Sequence, residues 1–370
     1  MTTPSARLRA AIRTASQGLV AREALVELVV LAAVAREHLL VIGPPGTAKS
    51  EAVRRASRAL GARRFEYLLG RFSEPSELFG TVDLQALQAG RVVTDTTGML
   101  PEAEIAFLDE VFLGSTAILN TLLGILAERR FRRGHTDLVC PLRVCVGASN
   151  ALPDDVELQA FADRFVLRVF TEPLPDPRLE ELLEAGWTRS SSDGPTATVE
   201  DVDALAETAR AMDLSSVRPA LAKAVRILRS RGVELSDRRA VKLQTLVAAA
   251  AALADRPAPT LADLWPVVYA VPTEEGQEVA REALEALLVE AESPALVAAA
   301  LEASRSPAAR ARAVAEAAEM VLSAPTDDAE GQQLRLEGVL RDMDAAFDPD
   351  DPAHGLREVR TRLMAALDAS

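Results

Sequence analysis

The sequence predicts an α/β fold: a parallel sheet with helices on its faces, followed by a small helical domain and an acidic helical tail. Three observations predict it. Five apolar runs of four to six residues recur, several separated by stretches of helical periodicity, as βαβ units require. The first run passes through a glycine-containing turn into a helix, at Val41-Ile-Gly-Pro-Pro-Gly-Thr-Ala-Lys-Ser50. Beyond Thr171 only helical periodicity remains, in a chain rich in Ala and Leu and only 4% aromatic.

Taken in order, residues 19–35 are apolar at helical spacing and lead into the first strand, 38–42, which Gly43 ends. Residues 49–60 read as a helix, and further strands are expected over 65–69, 105–108, 143–148 and 165–170. Pro173, Pro175 and Pro177 form a stiff connector, and residues 190–195 a polar loop. Helices over 199–212, 218–230 and 237–254 follow. A proline break at 256–259 precedes more helix, interrupted at Pro325 and at Asp348-Pro-Asp-Asp-Pro352. The expected domains are 1–172, 173–270 and 271–370.

At 370 residues the chain can bury two or three cores. Its net charge of −14 is unevenly placed: residues 271–370 hold 9 Lys+Arg and 21 Asp+Glu. That acidic tail repels phosphate backbones, which disfavours nucleic acid as a partner. It reads as a solvated helical face or as a docking surface for a basic partner. Cys140 and Cys145 make neither a disulfide framework nor a four-ligand zinc site, and the three histidines lack metal-ligand spacing. No uncharged apolar run reaches membrane-spanning length, and residues 1–13 lack a leader's apolar block. A cytoplasmic location is expected.

The loop at 43–50 carries the chemistry. Triphosphate needs several inward N–H donors and the positive end of a helix dipole. Gly43 and Gly46 clear the backbone, with Pro44, Pro45, Thr47 and Ala48 completing the cradle. Lys49 would reach the β and γ phosphates and Ser50 would bind Mg²⁺. Alanine at 48, where the phosphate-loop pattern has glycine, is tolerated if its backbone is not forced to positive φ.

Four more stretches complete the set. The strand Ile105-Ala-Phe-Leu-Asp-Glu110 ends in two carboxylates, with Asp109 placed to hold Mg²⁺ and Glu110 to deprotonate water. An N-cap is the alternative for Asp109. Asn150 ends another apolar strand, where it can sit beside the γ-phosphate or simply start a turn. Arg164, in Phe161-Ala-Asp-Arg-Phe165, can project across a subunit boundary or pair with Asp163 or another local carboxylate. In Ser236-Asp-Arg-Arg-Ala240, Ser236 or Asp237 caps a helix, and Arg238 or Arg239 can face phosphates from the lid.

These residues, with Arg71-Phe-Ser-Glu-Pro-Ser-Glu-Leu-Phe-Gly80, Leu100-Pro-Glu-Ala-Glu-Ile-Ala-Phe-Leu-Asp-Glu110 and Ala117-Ile-Leu-Asn-Thr-Leu-Leu-Gly-Ile-Leu-Ala-Glu-Arg-Arg-Phe131, resemble an AAA+ ATPase of the MoxR family, nearest its RavA group. The resemblance covers roughly residues 15–275, and that group also carries alanine before the lysine. It implies a five-stranded parallel P-loop core in AAA+ strand order, a helical lid, an insert hairpin near 79–93 and a second hairpin before Arg143. Lys49, Ser50, Asp109, Glu110 and Asn150 take the Walker A, Walker B and sensor 1 roles. Arg164 takes the arginine finger, and Arg238 sensor 2 with Arg239 its rival. ATP and Mg²⁺ are the implied cofactors, a hexameric homo-oligomeric ring the implied assembly, and a protein with a von Willebrand factor A domain the implied partner. The end departs from the RavA pattern, since residues 271–370 lack its β-rich insertion.

The expected function is Mg²⁺-dependent ATP hydrolysis that remodels or matures a protein partner. Two alternatives stand beside it. A nucleic-acid motor would use basic loops at 85–91 and 128–133, the latter holding Arg129, Arg130, Arg132 and Arg133. A nucleotide-gated scaffold in a signalling or defence assembly would dispense with hydrolysis.

Overall fold

The computed structural model describes residues 2–174, 179–187, 194–304, 307–323, 329–347 and 356–368. Its strands in chain order are β1 (Leu39–Ile42), β2 (Arg64–Leu68), β3 (Thr81–Val82), β4 (Thr94–Asp95), β5 (Ile105–Asp109), β6 (Arg130–Arg133), β7 (Thr136–Val139), β8 (Val144–Ser149) and β9 (Leu167–Phe170). Five of them form one parallel sheet in the order β2-β5-β8-β1-β9, the arrangement the resemblance implies. The central strands β1 and β8 are buried at every residue, as parallel strands covered on both faces must be. Edge strand β2 alternates between exposed and half-buried residues.

Because all five strands run the same way, their C-terminal ends meet at one edge. Ile42 stands opposite Ser149 and Phe170, while Leu39 stands opposite Val146 and Leu167 at the other edge. The remaining strands form two antiparallel hairpins, β3–β4 around the short helix Leu84–Gln88, and β6–β7 just before Arg143.

One face of the sheet carries α1 (Pro4–Ser16), α2 (Glu23–Ala35) and α3 (Lys49–Ala59), in a core shared with helices Val199–Ala211 and Asp237–Leu253. α2 is apolar all round and buried almost throughout, the signature of an interior helix. The other face packs helix Thr116–Glu128 and helix Val156–Ala162 over Phe131, Phe161 and Phe165.

The chain divides into two compact units, residues 1–172 with 191–304, and residues 173–190 with 305–370. Of the expected boundaries, 270/271 falls inside the first of these units. Trp265, Tyr269, Val271 and Leu296 are buried in the same core as Val41 and Val146, so residue 270 falls inside a packed segment. Helical periodicity identifies the face a helix buries but not what lies against it. The second unit comprises helices Leu179–Trp187, Pro307–Ser323, Ala329–Ala346 and Leu356–Asp368, with a small core of Ala318, Leu336, Met343, Leu356 and Leu363. Pro175, Pro177, residues 190–193, Pro325 and residues 348–352 lie outside the described residues. Among the described residues no helix is long and apolar enough to cross a membrane.

One buried carboxylate ties the first unit together. Glu27 on α2 accepts hydrogen bonds from the backbone N–H groups of Ala298 (3.2 Å) and Ala299 (2.7 Å), in the first turn of helix Val297–Ser304. Burial raises its pKa to about 7, the two N–H bonds opposing the shift. A folded pKa above the unfolded carboxylate value gives stability that is full below that value and declines as pH rises through 7. Between pH 4 and pH 8 this amounts to about 3 kcal/mol. Chemical unfolding across that range should show wild type losing about this much more stability than Glu27→Gln. Equal losses would remove Glu27 as the cause.

Candidate active site

The phosphate-loop residues lie at the C-terminal edge of the sheet, where β1 turns through Gly43 into α3. A Cβ on Gly43 would stand 2.1 Å from the Thr171 carbonyl oxygen, so β9 and the loop approach too closely for a side chain. Gly46 has open space around it but φ of +82°, which glycine adopts without strain. The Lys49 ammonium is lodged on loop carbonyls, 2.5 Å from Gly43 O and 3.0 Å from Pro44 O. Burial lowers its pKa, with Asp109 and Glu110 opposing and Arg22 adding to the shift.

Ala48 departs from the sequence expectation. Its φ of +58° is left-handed, the conformation that the sequence reading has alanine avoid there. A left-handed alanine costs roughly 1–2 kcal/mol, so the loop holds strain at the helix start. Because glycine gives back some of that gain in unfolded-chain entropy, Ala48→Gly should stabilise the protein by about 0.5 kcal/mol or more. Chemical denaturation checks it, and a destabilised variant would show that the methyl group is held by favourable contacts instead.

β5 delivers the two carboxylates to the same edge. Asp109 Oδ1 accepts the Glu110 backbone N–H at 3.0 Å, an interaction that fixes the turn leaving the strand. Glu110 itself has φ of +49°, a second left-handed non-glycine residue beside the loop. From the end of the neighbouring β8, Asn150 donates through Nδ2 to Glu110 Oε1 at 2.7 Å. Asn150 is thus joined directly to Glu110, a contact that no local pattern announces.

The arginines sit at the opposite edge. Asp163 pairs with Arg239 at 2.6 Å, so the alternative of an Asp163–Arg164 bridge does not hold. Arg164 is half-buried, and its Nε has no acceptor among the described residues. Arg239 is 1% exposed and also donates to Phe165 O (2.9 Å), Val166 O (2.8 Å) and Ala270 O (2.8 Å). It clamps the lid helix to the entry of β9, with four of its five N–H donors spent on protein acceptors. Arg238, the preferred sensor 2 residue, is half-buried beside it.

In this structure the lid arginines lie away from the loop of their own chain. Val166 lies at the Leu39 end of β1 and the loop at the Ile42 end, so the length of the strand, about 10 Å, separates them. The loop and the arginines occupy two ends of one sheet.

A family model described as the MoxR domain in MoxR–vWA–β-propeller ternary systems matches residues 6–209, more than half of the chain. The chain belongs to the MoxR family. This MoxR chain is similar to two uncharacterised proteins of Methanocaldococcus jannaschii, at 37% identity over 219 residues and 34% over 216. Each match covers 58% of this chain and 57% or 56% of the relative, so the chain spans little more than half their length. A solved structure of a candidate ATPase from Cytophaga hutchinsonii has a TM-score of 0.61, covering 78% of this chain and 96% of that one. At 16% identity it speaks for the fold alone, that of an AAA+ ATPase.

Arg22 escapes a sequence reading of this MoxR site. From the start of α2 it donates to Thr47 O at 2.7 Å and to Glu172 O at 2.6 Å, buttressing the loop against the segment that leaves β9. Thr171 adds a hydroxyl contact to Thr47 at 3.3 Å. Neither residue belongs to a local pattern. Arg22 precedes Gly43 by a whole helix and a strand, so only the fold brings it there.

The arginine cluster at 129–133 turns out to be occupied. Arg129 is spent on the carbonyls of Leu126 and Arg36, Arg130 pairs with Asp137 and Arg132 with Glu128, and Arg133 donates to Gly80 O. Arg130–Asp137 spans the β6–β7 hairpin, and the two ion pairs neutralise Arg130 and Arg132, while Arg129 and Arg133 rest on uncharged carbonyls.

Proposed function

We propose that this chain hydrolyses ATP with Mg²⁺ at sites shared between subunits of a ring. The observation that supports this is the division of the machinery between the two ends of one sheet. A loop with Lys49, Asp109 and Glu110 at one edge and Arg164 and Arg238 at the other form a complete set only when a second copy brings its arginine edge to the first copy's loop.

The residues present suit a Mg-nucleotide. Lys49 rests on two carbonyl oxygens of the loop, the acceptor chemistry that phosphate oxygens would offer in their place. Ser50 and Asp109 supply hard oxygen ligands of the kind Mg²⁺ prefers. Held there, Mg²⁺ would supply positive charge against the negative charge developing in transfer. Lys49 binds the β and γ phosphates. Asn150 holds Glu110 through Oε1, leaving Oε2 to take a proton from the attacking water. Arg164 of an adjacent copy stabilises charge on the transferred group, and Arg238 reports nucleotide state to the lid.

The purpose of turnover is remodelling or maturing a protein partner. The matched family is described from systems that also contain a von Willebrand factor A domain and a β-propeller. A von Willebrand factor A protein is therefore the partner we infer. The test is ATP turnover per subunit against protein concentration, with mass measured by light scattering in parallel. Turnover rising as mass increases from one copy to several supports the shared site. Equal turnover in a monomeric sample would overturn it.

A further inference from the structure

Beside the arginine edge lies a cavity of about 810 Å³ lined by residues from the β8–β9 segment, the lid and the stretch after Val271. Nothing in the proposed hydrolysis uses it. Most of its charges are matched internally. Arg239 is paired with Asp163, and Arg229 donates to Asp237 and to Leu235 O. Arg168 is different. It is 6% exposed, donates from Nη1 to Pro272 O at 2.5 Å, and its Nε has no acceptor among the described residues.

Burial and the neighbouring Arg239 lower the Arg168 pKa to about 9, Asp163 opposing from a distance, which still leaves it charged near neutral pH. A buried cation without a carboxylate in contact is costly, and native structures seldom leave one unexplained. The same cavity is lined by Ser236, at the start of the 17-residue helix Asp237–Leu253, so the positive end of a long helix dipole borders the space that Arg168 also lines. A buried arginine and a helix N-terminus converging on one space are the recognition chemistry of a phosphate group. Asp163 and Glu234 in the wall limit the charge that is welcome, favouring a single such group.

We propose that this cavity binds one phosphate-class oxyanion beside Arg168, free or carried by a small molecule, as a site separate from the ATP loop. An anion there would neutralise Arg168 and fasten the lid start to β9, where Arg239 already joins them.

The test uses the whole chain carrying Lys49→Ala, so that the loop's lysine no longer holds phosphate. Calorimetric titration with inorganic phosphate, chloride balancing ionic strength, should show saturable binding. Adding Arg168→Met should weaken it about tenfold or more, as loss of a charged hydrogen-bonding partner does. Glycerol phosphate is the second probe: tighter binding than phosphate assigns the site to a carried group, and equal binding assigns it to the free ion. Crystals soaked in selenate should show an anomalous peak at Arg168, a result that needs no folded Arg168 variant. Binding only near molar phosphate, unchanged affinity in Arg168→Met, or no selenate in the cavity would each overturn the proposal.

Discussion

Replacing Arg164 with alanine is expected to lower ATP turnover by roughly 10³–10⁵-fold while leaving ATP affinity unchanged. The magnitude is that of arginine fingers whose charge meets the transferred phosphoryl group. Affinity should survive because Arg164 lies at the opposite end of the sheet from its own loop. Its neighbour Asp163 is already committed to Arg239, so removing Arg164 leaves that ion pair intact. Mixing makes the prediction sharper. Arg164→Ala chains keep an intact loop, and Lys49→Ala chains keep an intact finger. Each is inactive alone, and combining them should restore measurable turnover at those interfaces that unite the two intact halves. Failure of mixed samples to recover activity, with mixed rings shown to form, would place Arg164 outside the site.

Glu110→Gln is the second large effect. Loss of a general base typically costs about 10²–10⁴-fold in rate, and the amide keeps the shape of the side chain. Asn150 Nδ2 can still donate to the carbonyl oxygen of the substituted amide, so the contact that positions this side chain is preserved. The expected result is a chain that binds a fluorescent ATP analogue as wild type does and turns over at least about a hundredfold more slowly. Weakened binding instead would mean that the carboxylate serves metal or nucleotide binding and not proton removal.

Much of this site was legible along the chain. The strand, turn and helix around Lys49 and the strand ending in Asp109 and Glu110 are local patterns, written in the spacing of apolar residues and in where glycine falls. The five strands and the helices over 199–211, 218–230 and 237–253 agree with their periodicity to within about three residues. Two expectations fail for reasons that no local pattern carries. Ala48 should avoid positive φ on local grounds, yet the loop closes against Thr171 and the helix start takes up the left-handed turn. Arg239 reads in sequence as a rival for phosphate contact, but its four acceptors come from Asp163, Phe165, Val166 and Ala270, distant in sequence and adjacent only in the folded chain.

By itself the sequence determined the element types, the nucleotide loop and the carboxylates beside it, because those depend on neighbours within a few residues. Tertiary structure decided which ends of the sheet the loop and the arginines occupy. It also set the boundary that joins residues 191–304 to the core, and the cavity around Arg168. Those depend on strand order, register and side-chain pairing between segments far apart in the chain, such as Asp163 with Arg239 and Glu27 with Ala298. Such pairings arise only when the core closes.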